Sequence, residues 1–566
     1  MGLSRLIVLG LLSLTISANC DFPPSVSQKI LFFCQKSIPQ ALEVYLEASE
    51  AYQHHDFSIL RLIAESYLQQ SLFSEDAYIR KSAIIGAGLS GSSEFLDLLS
   101  EVIETQDIYE QLLILNAAGN QWGKTSDRLL FKGLTASHPV IRLEAAYRLA
   151  CMKNSQVSDY LYSFIHKLPE EIQCLAATIF LQLETEEADA YIYRLLSSPN
   201  SLTRNYIAYL VGEYQQKRFL PTLRSLLTSA TPLDQEGALY AVGKLEDFSS
   251  YPKIKILSSK SDPEVALAAA QTLLFLGKEE DALPILTTFC QQRLPRALYT
   301  ARFLSQEKGE ELLLPIFCKT TKEEVRLNTA LALVHQGCTN HLVLNYLTEM
   351  LENKVPHRLF LPSHSIGKAT QAWKECATFP ILSQEEKIRT LAMYRAAEDT
   401  ILACLLKLPN NAYLPYLERI LASQKTALAA KAIAFLSVTA HPQALSLVSA
   451  AALTPGDPII RAYANLALYT MTKDPEKKAA LYPYAEQLIG DTVLFTDTEN
   501  PLPSPQSSYL RYQVSPETRT QLMLAILETL VSSKTDEDIR VFLSLMKKTH
   551  YKNVPILSGL LMRIVE

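Results

Sequence analysis

The side chains that could do chemistry are few in this chain of 566 residues, and the densest group of them lies between His357 and Cys376. There His357, Arg358, Phe360, His364, Lys368, Trp373 and Cys376 occur within one short stretch. Cys376 with His364 is the one nucleophile and base combination on offer, and a thiol acts as a nucleophile only with such a base in hydrogen-bond reach. Sequence does not place the two within that reach. The bland alternative is a tolerated insertion in which Phe360 and Trp373 fill a gap. A second group, His54, His55 and Asp56, is explained by a polar loop between helices, and it lacks the further ligands a metal would need. No glycine-rich phosphate loop, GxSxG, HExxH or paired-cysteine motif occurs. The chain therefore reads as non-enzymatic, with no catalytic residues, no metal and no cofactor.

A different kind of chemistry is carried by tyrosines. Tyr147, Tyr206, Tyr209, Tyr240 and Tyr299, with Asn116, Gln271 and Arg302, fall two or five residues after a recurring anchor. Such rings offer contact area at low entropic cost and a hydroxyl for orientation, which suits protein recognition. Alternatively, they cover the seams between neighbouring helices.

The element that positions them is a repeat. Arg80, Gln111, Arg142, Gln173, Arg204, Gln235, Ala266 and Ala297 are spaced 31 residues apart, and Arg326 follows after 29. Three, four and seven residues after each anchor come small or apolar residues, as in Ala145, Ala146 and Leu149 after Arg142. Those offsets mark one face of a helix, and the alanines predict close packing against another helix. Each unit begins with a shorter helix rich in leucine and aromatics, such as SDYLYSFIHKL (158–168), and ends with the anchor helix. Between them, Asp76, Asp107, Thr231 and Asp262, with prolines at 139, 232 and 263, predict helix N-termini capped by side chains. The anchor Arg/Gln row is expected to pair between units.

The segments SDPEVALAAAQTL (261–273), HPVIRLEAAYRL (138–149) and GDPIIRAYANLAL (456–468) resemble HEAT repeats, in the short-period variety found in phycobilin lyases and bacterial adaptors. The resemblance spans about residues 75–470 and implies an all-α, right-handed α-solenoid of stacked antiparallel helix pairs whose second helices line a concave surface. It also resembles uncharacterised exported HEAT-repeat proteins of bacteria. The family includes scaffolds, transport receptors and a few enzymes, so function does not follow from the fold.

The N-terminus adds a destination. Arg5 precedes an apolar run from Leu6 to Leu14, followed by small residues up to Cys20, a signal-peptide layout too short to span a bilayer. Cleavage after Cys20 is the expected outcome; acylation of Cys20 is the rival. The other eight cysteines form no CxxC and read as small buried apolar residues. A net charge of −6 without runs of like charge gives no footprint for nucleic acid.

The resulting map is a signal peptide (1–20), an N-terminal helical cap (21–74), a regular array (75–352), a remodelled repeat (353–383), further repeats (384–489), a proline-rich loop (490–516) and a C-terminal helical cap (517–566). The expected function is an exported scaffold, in a bacterial envelope or a secreted space, that binds a protein or peptide along the concave face. Its partner-binding residues would be Tyr147, Tyr206, Tyr209, Tyr240, Tyr299, Arg302, His357, Arg358, His364 and Trp373. The alternatives are a lyase-like enzyme or small-ligand binder with its site near 357–376, and a lipid-anchored envelope component. The oligomeric state is not specified by the sequence.

Overall fold

In a computed structural model the described residues are 22–105, 107–121, 123–353, 400–423, 426–439, 441–454, 457–490, 492–494 and 516–565. Among them there are helices and turns and no strand, and none of these helices is long and apolar enough to cross a membrane. The chain is an all-α solenoid of stacked helix pairs, and it divides into two compact units, Met1–Lys132 with Leu421–Glu566, and Gly133–Ile420.

In the second unit the anchor helices are Pro139–Cys151, Glu170–Phe180, Ser201–Glu213, Pro232–Lys244, Pro263–Phe275, Pro295–Ala301 and Glu323–His335. Each packs on the next, and the shorter helices that precede them, such as Val157–Ile165 and Glu186–Leu196, form a second layer. The offset rule is obeyed closely: from Ala83 to Leu333, every residue three, four or seven places after an anchor is at most 4% exposed. Small side chains matter because the helices approach until little room is left. A Cβ on Gly237 would lie 2.8 Å from the Asn205 carbonyl oxygen, and one on Gly212 would lie 3.0 Å from Ala241 Cα.

Helix starts follow the turn chemistry with one correction. Asp76, Asp107 and Asp262 accept backbone N–H bonds from Tyr78, Glu110 and Glu264 at 2.8–3.0 Å. Thr231 caps nothing with its side chain. Its helix begins instead with Pro232, which has no N–H to leave unpaired.

The first unit departs from a plain stack with a cap at each end. The last helix, Val554–Val565, packs against Phe57–Leu72 and Ala77–Ser90, so the C-terminal segment covers the first repeat. The crossing is made by two glycines. A Cβ on Gly559 would lie 2.0 Å from the Gly86 carbonyl oxygen, and one on Gly86 would lie 2.2 Å from the Pro555 carbonyl oxygen. Nearby, Asp538 is a fully buried hub that accepts from Lys478 Nζ at 2.7 Å, Ser533 Oγ at 2.7 Å and Tyr482 Oη at 2.9 Å. Thr535 completes a capping box with it. Burial, the largest influence, pushes the Asp538 carboxyl up, but hydrogen bonds from Lys478, Thr535, Ser533 and Tyr482 together hold it below its ordinary value.

The cysteines are mixed in role. Cys34, Cys174, Cys290 and Cys338 are buried thiols, and burial pushes Cys290 up to about 12. Cys151 and Cys318, in contrast, are exposed, because they sit at or near helix C-termini off the core stripe.

Two predictions follow from the first unit. Gly559→Ala should lower stability by about 1–3 kcal/mol, as overpacking does, in urea unfolding. Gly490→Ala should be nearly neutral in the same assay, since its Cβ would meet nothing closer than 3.9 Å. Equal stabilities would disprove the close crossing. Asp538→Asn should cost roughly 3–5 kcal/mol near neutral pH, because it leaves Lys478 buried without its anion. A depressed carboxylate stabilises above its unfolded pKa and loses that contribution as pH falls through the folded value. The gap between wild type and variant should therefore hold at neutral pH and narrow below about pH 4.

Candidate functional site

His54, His55 and Asp56 do structural work. Asp56 accepts from Ile59 N at 3.0 Å, which caps the Phe57–Leu72 helix, and from Phe22 N at 3.1 Å. His55 is buried with its Nδ1 3.2 Å from the Tyr45 hydroxyl, while His54 is exposed. Burial lowers the His55 pKa from its ordinary value. Among the described residues no group of three or more His, Cys, Asp or Glu is arranged to hold a metal ion. His357, Arg358, His364, Trp373 and Cys376, like Cys20 and residues 1–20, lie outside the described residues, as does nearly all of the proline-rich stretch.

The anchor row turns out to have a sharper job than pairing between units. Arg142 Nε donates to the Ala136 carbonyl at 2.6 Å, Gln173 Nε2 to Leu168 at 2.7 Å, Arg204 Nη1 to Ser198 at 2.5 Å and Gln235 Nε2 to Ser229 at 2.5 Å. In the first unit, Arg80 Nη1 donates to Ser74 at 2.9 Å. Each acceptor lies five or six residues before its anchor, just after the shorter helix has ended. Helix C-termini leave carbonyls without intrahelical partners, and the anchor donates to the carbonyls of this turn. Arg and Gln alternate freely because both bring an N–H donor at about the same reach. Two arginines also pair onward. Arg80 meets Glu110 at 3.0 Å, and Arg204 meets Asp234, itself buried, at 2.8 Å. Ala266 and Ala297 have no donor, and in that region Arg296 bonds to both Glu236 and Glu264, tying three successive units together.

With the helices fixed in this way, the tyrosines take defined places. Tyr206 is buried, so it does not present a ring to a partner; two residues after the anchor it turns into the stack. Tyr147, Tyr209, Tyr240, Tyr299 and Arg302 are half-buried. The rings of Tyr209 and Tyr240 lie 4.7 Å apart between centroids, and Tyr240 donates its hydroxyl to Glu213. Burial first, and then that bond to Glu213, push the Tyr240 phenol far up. Tyr147 stands apart from this group, with its phenol raised mainly by burial and secondarily by Cys151.

The row continues through residues that the offset rule does not mark. Tyr240 meets Phe275 at 6.2 Å, Phe275 meets Phe303 at 5.3 Å, and Phe303 meets His335 at 5.9 Å. Together these rings cross five consecutive anchor helices and their ends. Cations interleave with them: Lys244 lies 5.7 Å from the Tyr240 centroid and 5.9 Å from Phe275, and Arg302 lies 4.2 Å from Tyr299 and 4.9 Å from Phe303. Such placements are attractive through the ring quadrupole. His335 is held below its ordinary pKa, chiefly by burial and then by Arg302 and Lys407. Phe275, Phe303 and His335 are missed by fixed offsets because they sit in the last turn of their helices or just beyond. A search for aromatics two residues before the turn glycines Gly277 and Gly337 would have found Phe275 and His335.

No protein-family model and no curated protein matches the chain. Solved structures that it is similar to include UNC-45 from Drosophila melanogaster, at 14% identity with 93% of this chain and 83% of that one covered and a TM-score of 0.32. Kap121p bound to Pho4p follows at 11% identity, 94% and 78% coverage and a TM-score of 0.33. Human deoxyhypusine hydroxylase aligns at 18% identity over 58% of this chain and 99% of its own, with a TM-score of 0.22. Likenesses this weak say nothing of partner or activity.

The anchor clamp predicts a graded mutational response. Arg204→Ala should cost roughly 2–3 kcal/mol, as expected when charged hydrogen bonds to a buried acceptor are removed. Arg204→Gln, which can still reach the Ser198 carbonyl, should cost less, and adding Asp234→Ala to it should cost little more. Equal losses for Ala and Gln in chemical denaturation would remove the carbonyl from the account.

Proposed function

We propose that this protein is a non-enzymatic scaffold that binds an extended protein segment across its anchor helices, with Tyr209, Tyr240, Tyr299 and Arg302 among the contacting residues. One observation carries the reading: an aromatic row, half-exposed and interleaved with cations, crosses successive anchor helices and their ends. Half-buried rings lose little conformational freedom on contact, and clusters of aromatics with Arg are typical of the residues that dominate binding energy. Repetition supports the same reading, because a row that repeats with the helices matches a partner that is itself extended. Export belongs to the proposal too, supported by the charged start, apolar run and small residues of 1–20.

The test is photo-crosslinking in cells from a probe replacing Tyr209, with a control probe replacing Tyr160, which is 44% exposed on a helix of the other layer. A third probe at Trp373 reports on the enzyme or small-ligand alternative. A discrete protein captured at Tyr209 and absent at Tyr160 is the expected result. Capture at Trp373 alone would overturn the scaffold reading and move attention to residues 357–376.

A further inference from the structure

The aromatic row has a charged end, and that end specifies the chemistry of what it binds. Arg302 stands at this end, its guanidinium 4.9 Å from the Phe303 centroid, and the Phe303 ring lies 5.9 Å from His335. Lys407 is exposed, and after burial the charges of Arg302 and Lys407 are the next influences that lower the His335 pKa. Arg302 stacks over Tyr299 and Phe303 with its Nε buried and, among the described residues, without a hydrogen-bond acceptor. Of the acids on the adjoining helices, Glu279 and Glu280 pair with Lys308, Glu323 accepts from the Tyr346 hydroxyl and Glu310 from Gln306 Nε2. At the other end, Lys244 is neutralised by Glu213 at 3.2 Å, and Glu213 also holds Tyr240. The row therefore runs from a neutral aromatic end near Tyr209 to a cationic end near Lys407, in a chain whose net charge is −6.

We infer that this surface takes an extended acidic peptide segment, with apolar side chains on the rings and a carboxylate over Arg302 and Lys407. The inference rests on the scaffold reading and adds the partner's chemistry and polarity. Packed helices lie about 9 Å apart, and an extended chain advances about 3.3 Å per residue, so crossing five helices engages roughly 11 residues. Alternation of side chains along an extended segment puts every second residue on the same side, which fits rings facing one side of the peptide. A guanidinium can present paired donors to a carboxylate, whereas the lysine acts as a point charge.

The experiment is selection of a displayed random 12-residue peptide library on the full-length protein, followed by solution affinities. Wild type should enrich peptides with Asp or Glu near one end and apolar residues at alternate positions. Replacing that acid by its amide should weaken binding about tenfold. Lys407→Glu changes an exposed residue and should fold normally; it should erase the acidic preference, and combined with Arg302→Glu it should invert the preference toward Lys and Arg. Peptides without acidic bias whose binding is lost in Tyr240→Ala would overturn the acidic-segment inference while leaving the scaffold reading intact. Enrichment indifferent to both Tyr240→Ala and Lys407→Glu, or no enrichment at all, would overturn the inference together with the surface on which it rests.

Discussion

Five repeats of the array share a hydrogen bond that spans a turn. A helix that ends leaves carbonyls that its own backbone does not serve, and a polar group buried without a partner costs free energy on the scale of a lost bond. Here one side chain on the next helix, Arg142, Gln173, Arg204 or Gln235, reaches back to such a carbonyl. The bond fixes the angle between the two helices of a pair, because donor and acceptor lie on different elements only five or six residues apart. With that angle set, the rows of alanine behind the anchor can approach the neighbouring helix closely, as the tight space around Gly237 and Gly212 demonstrates. Close approach in turn brings the last turns of successive helices near enough for their rings to touch.

The same geometry explains why the aromatic row is half-buried instead of protruding. A ring five residues after the anchor points along the seam between two helices, so part of it covers the seam and part faces outward. Tyr209 and Tyr240 show both aspects: they contact each other across the seam, yet neither is fully enclosed. Covering a seam and contacting a partner are therefore compatible duties for one side chain. The electrostatic gradient along the row has a separate origin. Glu213 quenches Lys244 at one end, whereas among the described residues Arg302 and Lys407 form no ion pair at the other.

The periodic part of the fold was legible in the sequence because repeats write each constraint many times. The offsets three, four and seven after Arg142 identified buried residues throughout the array, and the aspartates at 76, 107 and 262 marked helix starts. What could not be read was anything made once, between distant segments. The crossing of Gly86 with Gly559 joins residues separated by most of the chain, and no local pattern announces it. The Asp538 hub, which takes its partners from Lys478 to Thr535, is hidden for the same reason. Within the candidate site, Tyr209 and Tyr240 were visible through their offset, and Tyr206 was misjudged because an offset of two borders the core stripe and the fine rotation of the helix decides burial. Phe275 and His335 fall nine residues after their anchors and Phe303 six, so a rule limited to offsets of two and five passes over all three. The role of the anchor itself was underestimated: its carbonyl acceptor lies in a turn whose path sequence alone does not give.

The central claim is that the ends of the anchor helices form a recognition surface, and its most direct test is hydrogen exchange on the full-length protein with and without the partner captured in cells. The account predicts slowed exchange in the final turns of Ser201–Glu213, Pro232–Lys244, Pro263–Phe275 and Glu323–His335, with the shorter helices unchanged. Protection confined to the other layer, on helices such as Val157–Ile165 and Glu186–Leu196, would contradict it.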